Sequence, residues 1–173
     1  MSEHFTIIRT VDDFLGWWAN ESDGTRKIFG ALTDASLKQQ VATDHRTLGR
    51  LAWHICQTVP EMGGRTGLKI QGPGEKDPVP TSAAAIQKAY DTAAKGLLEQ
   101  VKANWKDDTL AIEDDMYGMK WKRGLTLAIL VHHEIHHRGQ MTVLMRQAGL
   151  KVPGIYGPSL EEWANYGGKP PEV

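Results

Sequence analysis

The chain has 173 residues and a mass of 19.2 kDa, the size of one ordinary domain. Hydrophobic residues at 40% and charged residues at 24% exclude a disordered chain and suffice for a buried core. Twenty Lys+Arg against 21 Asp+Glu leave a formal charge of −1, which argues against a general nucleic-acid or membrane-surface binder.

A single cysteine, Cys56, rules out an internal disulfide and fits a reducing compartment. The opening MSEHFTIIRTVDDF has no basic region followed by a long apolar run, which predicts no signal peptide. The longest strongly apolar run, Leu125 to Val131, is broken by Thr126 and is too short to span a bilayer. The expectation is one cytoplasmic domain over residues 1–173, with a small-molecule substrate, no nucleic acid and no membrane; a homodimer is an allowed assembly.

Four stretches carry the i, i+3/i+4 periodicity of amphipathic helices. The first runs from about Val11 to Leu32, with Phe14, Trp18, Ile28 and Leu32 in an apolar row and Thr10 with Asp13 as a capping box. Glu21 and Thr25 interrupt that row, and Glu21 is read as a solvent-facing interruption, with an approach to the site as the alternative. The second runs from about Thr47 to Val59, and Pro60 is expected to kink or end it. Gly63 to Pro80 then forms a long connection, a crossover or a lid. The third helix spans about Ser82 to Ala103, where Ile86, Tyr90, Ala93, Leu97 and Val101 recur every three or four residues. Between Trp105 and Gly124, Leu110, Ile112, Met119 and Trp121 flank Tyr117-Gly118 and predict a short hairpin. The fourth helix runs from about Leu125 to Gln147 and stops at Ala148-Gly149. The remainder is rich in proline and glycine and predicts an irregular tail with one short helix around Ser159 to Trp163. The fold class is therefore all-α, a four-helix bundle with a long crossover after helix two.

Four of the seven histidines fall in His132-His133-Glu134-Ile135-His136-His137. Residues four apart stack on one helix face, so His133/His137 and His132/His136 are each spaced to chelate one ion. His54, in LAWHI, neighbours the apolar Leu51 and Ile55 and can face inward as a third ligand. Two histidines from one helix and one from another would make a three-histidine site with an open coordination position, as catalytic metal sites require. Spacing alone does not choose between the pairs. The face of His133 and His137 carries Leu130, Met141 and Leu144, and that of His132 and His136 carries Leu125, Ile129 and Val143.

His133, Glu134 and His137 also satisfy H-E-x-x-H, the zinc-binding helix of metalloproteases with its glutamate base. The extended pattern fails, because Gly139 falls one position early and Val143 stands where a third histidine belongs. Glu161 or Glu162 could supply a downstream ligand, but no strand run long enough for a substrate-binding sheet edge is present. A di-iron carboxylate site would need a second E-x-x-H, which is absent.

The blocks LGRLAWHI (residues 48–55), HHEIHHRGQM (132–141) and RQAGLKVPGIYGPS (146–159) resemble, in order and approximate spacing, the DinB-like family of metal-binding four-helix bundles. The resemblance implies a divalent ion held by His54, His133 and His137, with His132 and His136 outside its ligands. It also implies a thiol-dependent transferase or isomerase, using a low-molecular-weight thiol at the metal. Three imidazoles suit zinc or nickel first, with iron and copper as alternatives. Metal affinity is expected to fall as pH drops through about 6.5, where free imidazole protonates.

Further expectations attach to single residues. Gly139 is expected to mark close packing beside the site. Arg138 is read as an ion-pair partner, with substrate-anion binding as the alternative, Glu134 as support for a neighbouring histidine, and Cys56 as a buried small hydrophobe. Gln140 is read as bonding to a ligand, the substrate or solvent, and Tyr156 as covering the pocket mouth or packed. Lys120-Trp121-Lys122-Arg123 predicts a solvated helix start with a buried indole. The pocket itself is expected between the long connection and the PGIYG tail. Three functions remain: a metal-dependent thiol S-transferase, a non-catalytic metal-binding protein, and an HExxH-type hydrolase.

Overall fold

A computed structural model describes residues 8–172, so the first seven residues of the stretch read as lacking a leader lie outside it. Four helices dominate: α1 (Val11–Gly30), α2 (Leu48–Arg65), α3 (Ala83–Asn104) and α4 (Arg123–Gln147). α1 and α2 each pack against both α3 and α4, so α1 faces α2 across the diagonal of the bundle. The all-α expectation holds. The connection 66–82 after α2 joins neighbouring helices. The diagonal is crossed by the α1–α2 loop, with its 3₁₀ turn Asp34–Lys38, and by the segment between α3 and α4.

Helix starts follow their caps. Thr10 Oγ1 accepts the Asp13 amide at 3.0 Å while the Asp13 carboxylate accepts the Thr10 amide at 3.1 Å. Thr47 and Ser82 cap α2 and α3 through their hydroxyls. α4 ends where Gly149 adopts φ 74°, a left-handed position that glycine takes without steric cost.

Pro60 does not end α2; the helix runs on to Arg65. A proline inside a helix costs about 3 kcal/mol. Tertiary burial offsets it, because Met62 and Leu68 are both buried and each is worth about 1.5–3 kcal/mol. The connection packs directly on this turn. A Cβ on Gly63 would lie 2.2 Å from Ile70 Cδ1, and one on Gly72 would lie 2.9 Å from Pro60 Cγ. Farther along, Gln57 Nε2 donates to the Gly74 carbonyl at 2.6 Å, and Trp53 Nε1 donates to that of Asp77 at 3.0 Å. The long connection is thereby fastened to α2.

The hairpin pairs β1 (Glu113–Met116) with β2 (Met119–Lys122), Asp114 opposite Trp121. Its turn, Tyr117-Gly118, has φ of 60° and 82°, the two positive values of a type I′ turn. Leu110 and Ile112, expected in the first strand, lie in and just after a 3₁₀ turn, Asp107–Ala111. The basic cluster sits on β2 and the start of α4, with Trp121 buried and Arg123 paired to Asp114 at 2.8 Å. After Gly149 the tail is irregular apart from the 3₁₀ helix Leu160–Tyr166.

One apolar cluster fills the interior, with Phe14, Trp18, Ile55, Ile86, Leu97 and Leu130 among its most enclosed members. Among the described residues no helix is long and apolar enough to cross a membrane.

Candidate metal centre

α4 is oriented by its apolar residues. Leu130, Met141 and Leu144 are buried, whereas Val143 is 54% exposed and Leu125 and Ile129 are only partly covered. That burial turns His133 and His137 toward α2, where His54 meets them. Nε2 of His133 lies 3.1 Å from Nε2 of both His54 and His137. The three rings together offer nitrogen atoms within 4.8 Å of one another, a group that could hold a metal ion.

The donor set fits a divalent cation. Tetrahedral ligands about 2.0–2.1 Å from an ion stand roughly 3.3 Å apart, close to the two 3.1 Å separations. The rings cannot satisfy one another. Nε2 of His133 presents a single proton or a single lone pair to two neighbouring nitrogens. His137 is further committed, since its Nδ1 bonds to Gln140 Oε1 at 2.7 Å. The amide oxygen only accepts, so the proton of neutral His137 sits on Nδ1 and the lone pair of Nε2 points into the cluster. Gln140 Nε2 donates in turn to His136 at 3.1 Å. Gln140 is therefore a positioning residue for His137.

Burial, and then the charge a neighbouring imidazolium would carry, lowers His54 and His133 to about 4. His137 is lowered too, chiefly by burial, with the Gln140 bond opposing. Arg46 adds positive potential against protonation of all three. His54 and His133 hence stay neutral well below 6.5, and His137 is shifted in the same direction. The expected pH window for loss of metal moves down accordingly, because the folded site disfavours the competing protons.

The other histidines of α4 are not among the three converging rings, although the His136 ring centre lies 4.9 Å from that of His137. His132 packs edge-on against Trp17 with ring centres 5.5 Å apart, and His136 is exposed. Glu134 is neither a base at the cluster nor a support for a histidine. It is buried about 100° round α4 from His133, facing α1 and α3, where Oε1 accepts from Thr25 Oγ1 and from the Tyr90 hydroxyl, each at 2.6 Å. Its Oε2 has no partner, and burial pushes the carboxyl upward. This placement removes the glutamate that an HExxH hydrolase needs. Glu161 and Glu162 are tail residues held by Arg146 and by the amides of Gly154 and Ser159, not ligands beside the histidines.

The interruption in α1 is internal, not solvent-facing. Glu21 and Thr25 are buried, and Arg138 pairs with Glu21 while donating to Thr25 Oγ1 at 3.2 Å. Arg138 is the ion-pair partner expected. Tyr156 belongs to this network; its hydroxyl donates to Glu21 at 2.6 Å and its ring is 70% exposed, so it does not cover the histidines. Gly139 is exposed with nothing within 4 Å of a would-be Cβ, so no close packing accounts for it. Cys56 is buried against the Ile86 carbonyl, and burial raises its thiol.

Two cavities flank the cluster. One, of about 650 Å³, opens on His54 and His133 and is lined by Arg46, Arg50, Glu61, Arg65, Glu75 and the hairpin's Tyr117 and Trp121. The other, of about 440 Å³, opens on His137 and is walled by Val41, Leu51, Val143 and Leu144, with Arg46 shared between the two. The long connection supplies only Glu75, and the PGIYG tail supplies nothing; the hairpin and the loop before α2 take that place. The hairpin is anchored by the Tyr117 hydroxyl, which donates to Glu61 at 2.7 Å beneath the Arg65 guanidinium. Arg46 and Arg50 went unread in the sequence; Arg50 and His54 are four apart on one face of α2, and Arg46 lies in the loop before its cap Thr47.

The sequence model of the DinB family matches residues 1–172. YrdA, an uncharacterised protein of Bacillus subtilis strain 168, is 45% identical over 167 residues, spanning 96% of this chain and 100% of that protein. The crystal structure of a DinB-like protein from Bacillus cereus ATCC 10987 superposes with a TM-score of 0.83 at 44% identity, covering 86% of this chain and 99% of that one. YjoA, a DinB-like protein of Bacillus subtilis, shares the fold alone, with a TM-score of 0.66 at 16% identity over 83% of this chain and 97% of its own. The chain belongs to the DinB family.

Proposed function

We propose that the chain is a metal-dependent transferase that joins a low-molecular-weight thiol to a small electrophile. One observation carries this reading: three imidazole nitrogens converge from two helices at the meeting point of two cavities. Sites of that kind take three protein ligands and leave a position for a reactant. A divalent ion held there supplies the Lewis acidity that keeps a thiol ionised at neutral pH.

The protein's own part is geometric. Gln140 fixes the His137 tautomer, and burial keeps all three rings neutral and their lone pairs available. The packed walls hold both reactants near each other and thin the water around the nucleophile. In the overall reaction the thiol sulfur forms a bond to the electrophilic carbon. The carbon–leaving-group bond breaks with its electron pair on the leaving group, and the thiol proton passes to solvent.

The test is thiol-dependent turnover of an activated aryl halide by metal-loaded protein. Turnover should require metal and fall to background in His54→Ala, His133→Ala and His137→Ala. Absence of turnover, together with a cobalt-loaded site whose spectrum is unmoved by every common low-molecular-weight thiol, would leave a non-catalytic metal-binding protein.

A further inference from the structure

We infer that the arginine-lined cavity binds the carboxylate end of an acidic reactant, leaving the apolar cavity beside His137 for the second one. This deepens the transferase reading and rests on it for the reactant's identity as a thiol. Arg46 has no ion-pair or hydrogen-bond partner among the described residues, and Arg50 spends one N–H on the neutral amide oxygen of Gln57, at 2.8 Å. Both line the cavity that opens on His54. Arg46 lies in the loop just before the cap Thr47 and Arg50 in the first turn of α2, so two guanidinium forks reach one cavity from the start of that helix. Each fork matches a carboxylate bidentately, which a lysine ammonium does not.

The opposing charges do not cancel this pair. Glu61 is taken up by Arg65 and by the Tyr117 hydroxyl. Glu75 is exposed on the far wall and enters the network only through its main-chain carbonyl, which Gln57 holds at 3.1 Å. The cavity beside His137 is walled mainly by the apolar Val41, Leu51, Val143 and Leu144, with the shared Arg46 and His45 also on its lining. A cationic lobe and an apolar lobe on either side of one metal-binding cluster divide an acidic, water-soluble reactant from an apolar one. A dicarboxylate offers one planar anionic group to each fork.

The first experiment uses metal-free protein and succinate, read by calorimetry and by the arginine side-chain resonances at low ionic strength. Saturable binding is expected. Arg50→Gln should weaken it about tenfold, and Arg46→Gln, more exposed, about fivefold. Arg9→Gln, an exposed arginine at the start of α1, should not change it. No saturable binding, unchanged affinity in the R46Q/R50Q double variant, or tighter binding of inorganic phosphate would overturn the assignment.

The second experiment compares mercaptosuccinate with 2-mercaptoethanol on the cobalt-loaded protein. Mercaptosuccinate should perturb the cobalt spectrum at about a tenfold lower concentration, an advantage lost in Arg50→Gln. Equal concentrations for the two thiols would refute the carboxylate lobe and leave the thiol reading standing. Succinate binding with a cobalt spectrum indifferent to both thiols would support the lobe and remove the thiol.

Discussion

Replacing Tyr90 by Phe tests whether the glutamate of the histidine block is structural. The Tyr90 ring is fully buried against Phe29, with ring centres 5.1 Å apart, and that contact survives the change. What is lost is one of two hydroxyl donors to Glu134 Oε1, in a place where Oε2 already has none. Unmaking a buried hydrogen bond costs about 1–3 kcal/mol. Taken at about 2 kcal/mol, it lowers Tm by roughly 4–8 °C in a chain of this size. Glu134→Gln keeps an acceptor at Oε1 and replaces the unpartnered oxygen, so it should stay within about 1 kcal/mol of the parent at pH 5. Its relative stability should improve as pH rises. Burial raises the folded pKa of Glu134, so the parent's contribution is present below about 4.5 and lost as pH climbs through the folded value. Differential scanning calorimetry and elemental analysis read both effects. Loss of bound metal in Glu134→Gln would refute the reasoning, because it would place the carboxyl in the metal site.

Arg138→Met should destabilise by about 3 kcal/mol, since Glu21 is left buried with only the Tyr156 hydroxyl donating; denaturant titration reads it. Gln140→Ala should weaken metal binding about tenfold in a chelator competition while leaving metal-free stability within about 0.5 kcal/mol, because the side chain is exposed and acts through His137. Metal-free protein should lose stability as pH falls from about 6.5 to about 4, where the unfolded imidazoles take protons that His54 and His133 refuse. Discounted for their partial exposure, the effect is about 1 kcal/mol per ring, so His133→Gln should lose about that much less than the parent between pH 7 and pH 4.5 in urea titrations. An equal loss in both would contradict the buried neutral ring.

The helices were legible because each carries a period and a cap: Thr10 with Asp13 before α1, Ser82 before α3, Gly149 after α4. The hairpin was legible through Tyr117-Gly118, although its strands sit nearer the turn than the apolar alternation implied. Pro60 misled because local propensity speaks against a helix there, while the packing of Ile70 and Gly72 over that turn is long-range. Glu21 and Thr25 resembled a solvated gap for the same reason: their partners Arg138 and Glu134 lie on α4, more than a hundred residues away. Periodicity records which side is polar, not whether that side faces water or another polar helix. The spacing of His133 and His137 was plain, but their inward orientation depends on which apolar residues of α4 are buried. Gly139 was read from the cost of glycine inside a helix and Tyr156 from its place in the tail, and neither signal reports what packs against an exposed turn or where an irregular tail runs.

The most direct test of the three-histidine site is metal stoichiometry after saturation and desalting, in the parent and in single alanine variants. The account predicts one ion per chain in the parent, most of it lost in His54→Ala, His133→Ala and His137→Ala, and retained in His132→Ala and His136→Ala. Full occupancy in His54→Ala would contradict it, because the ion would then be held without α2.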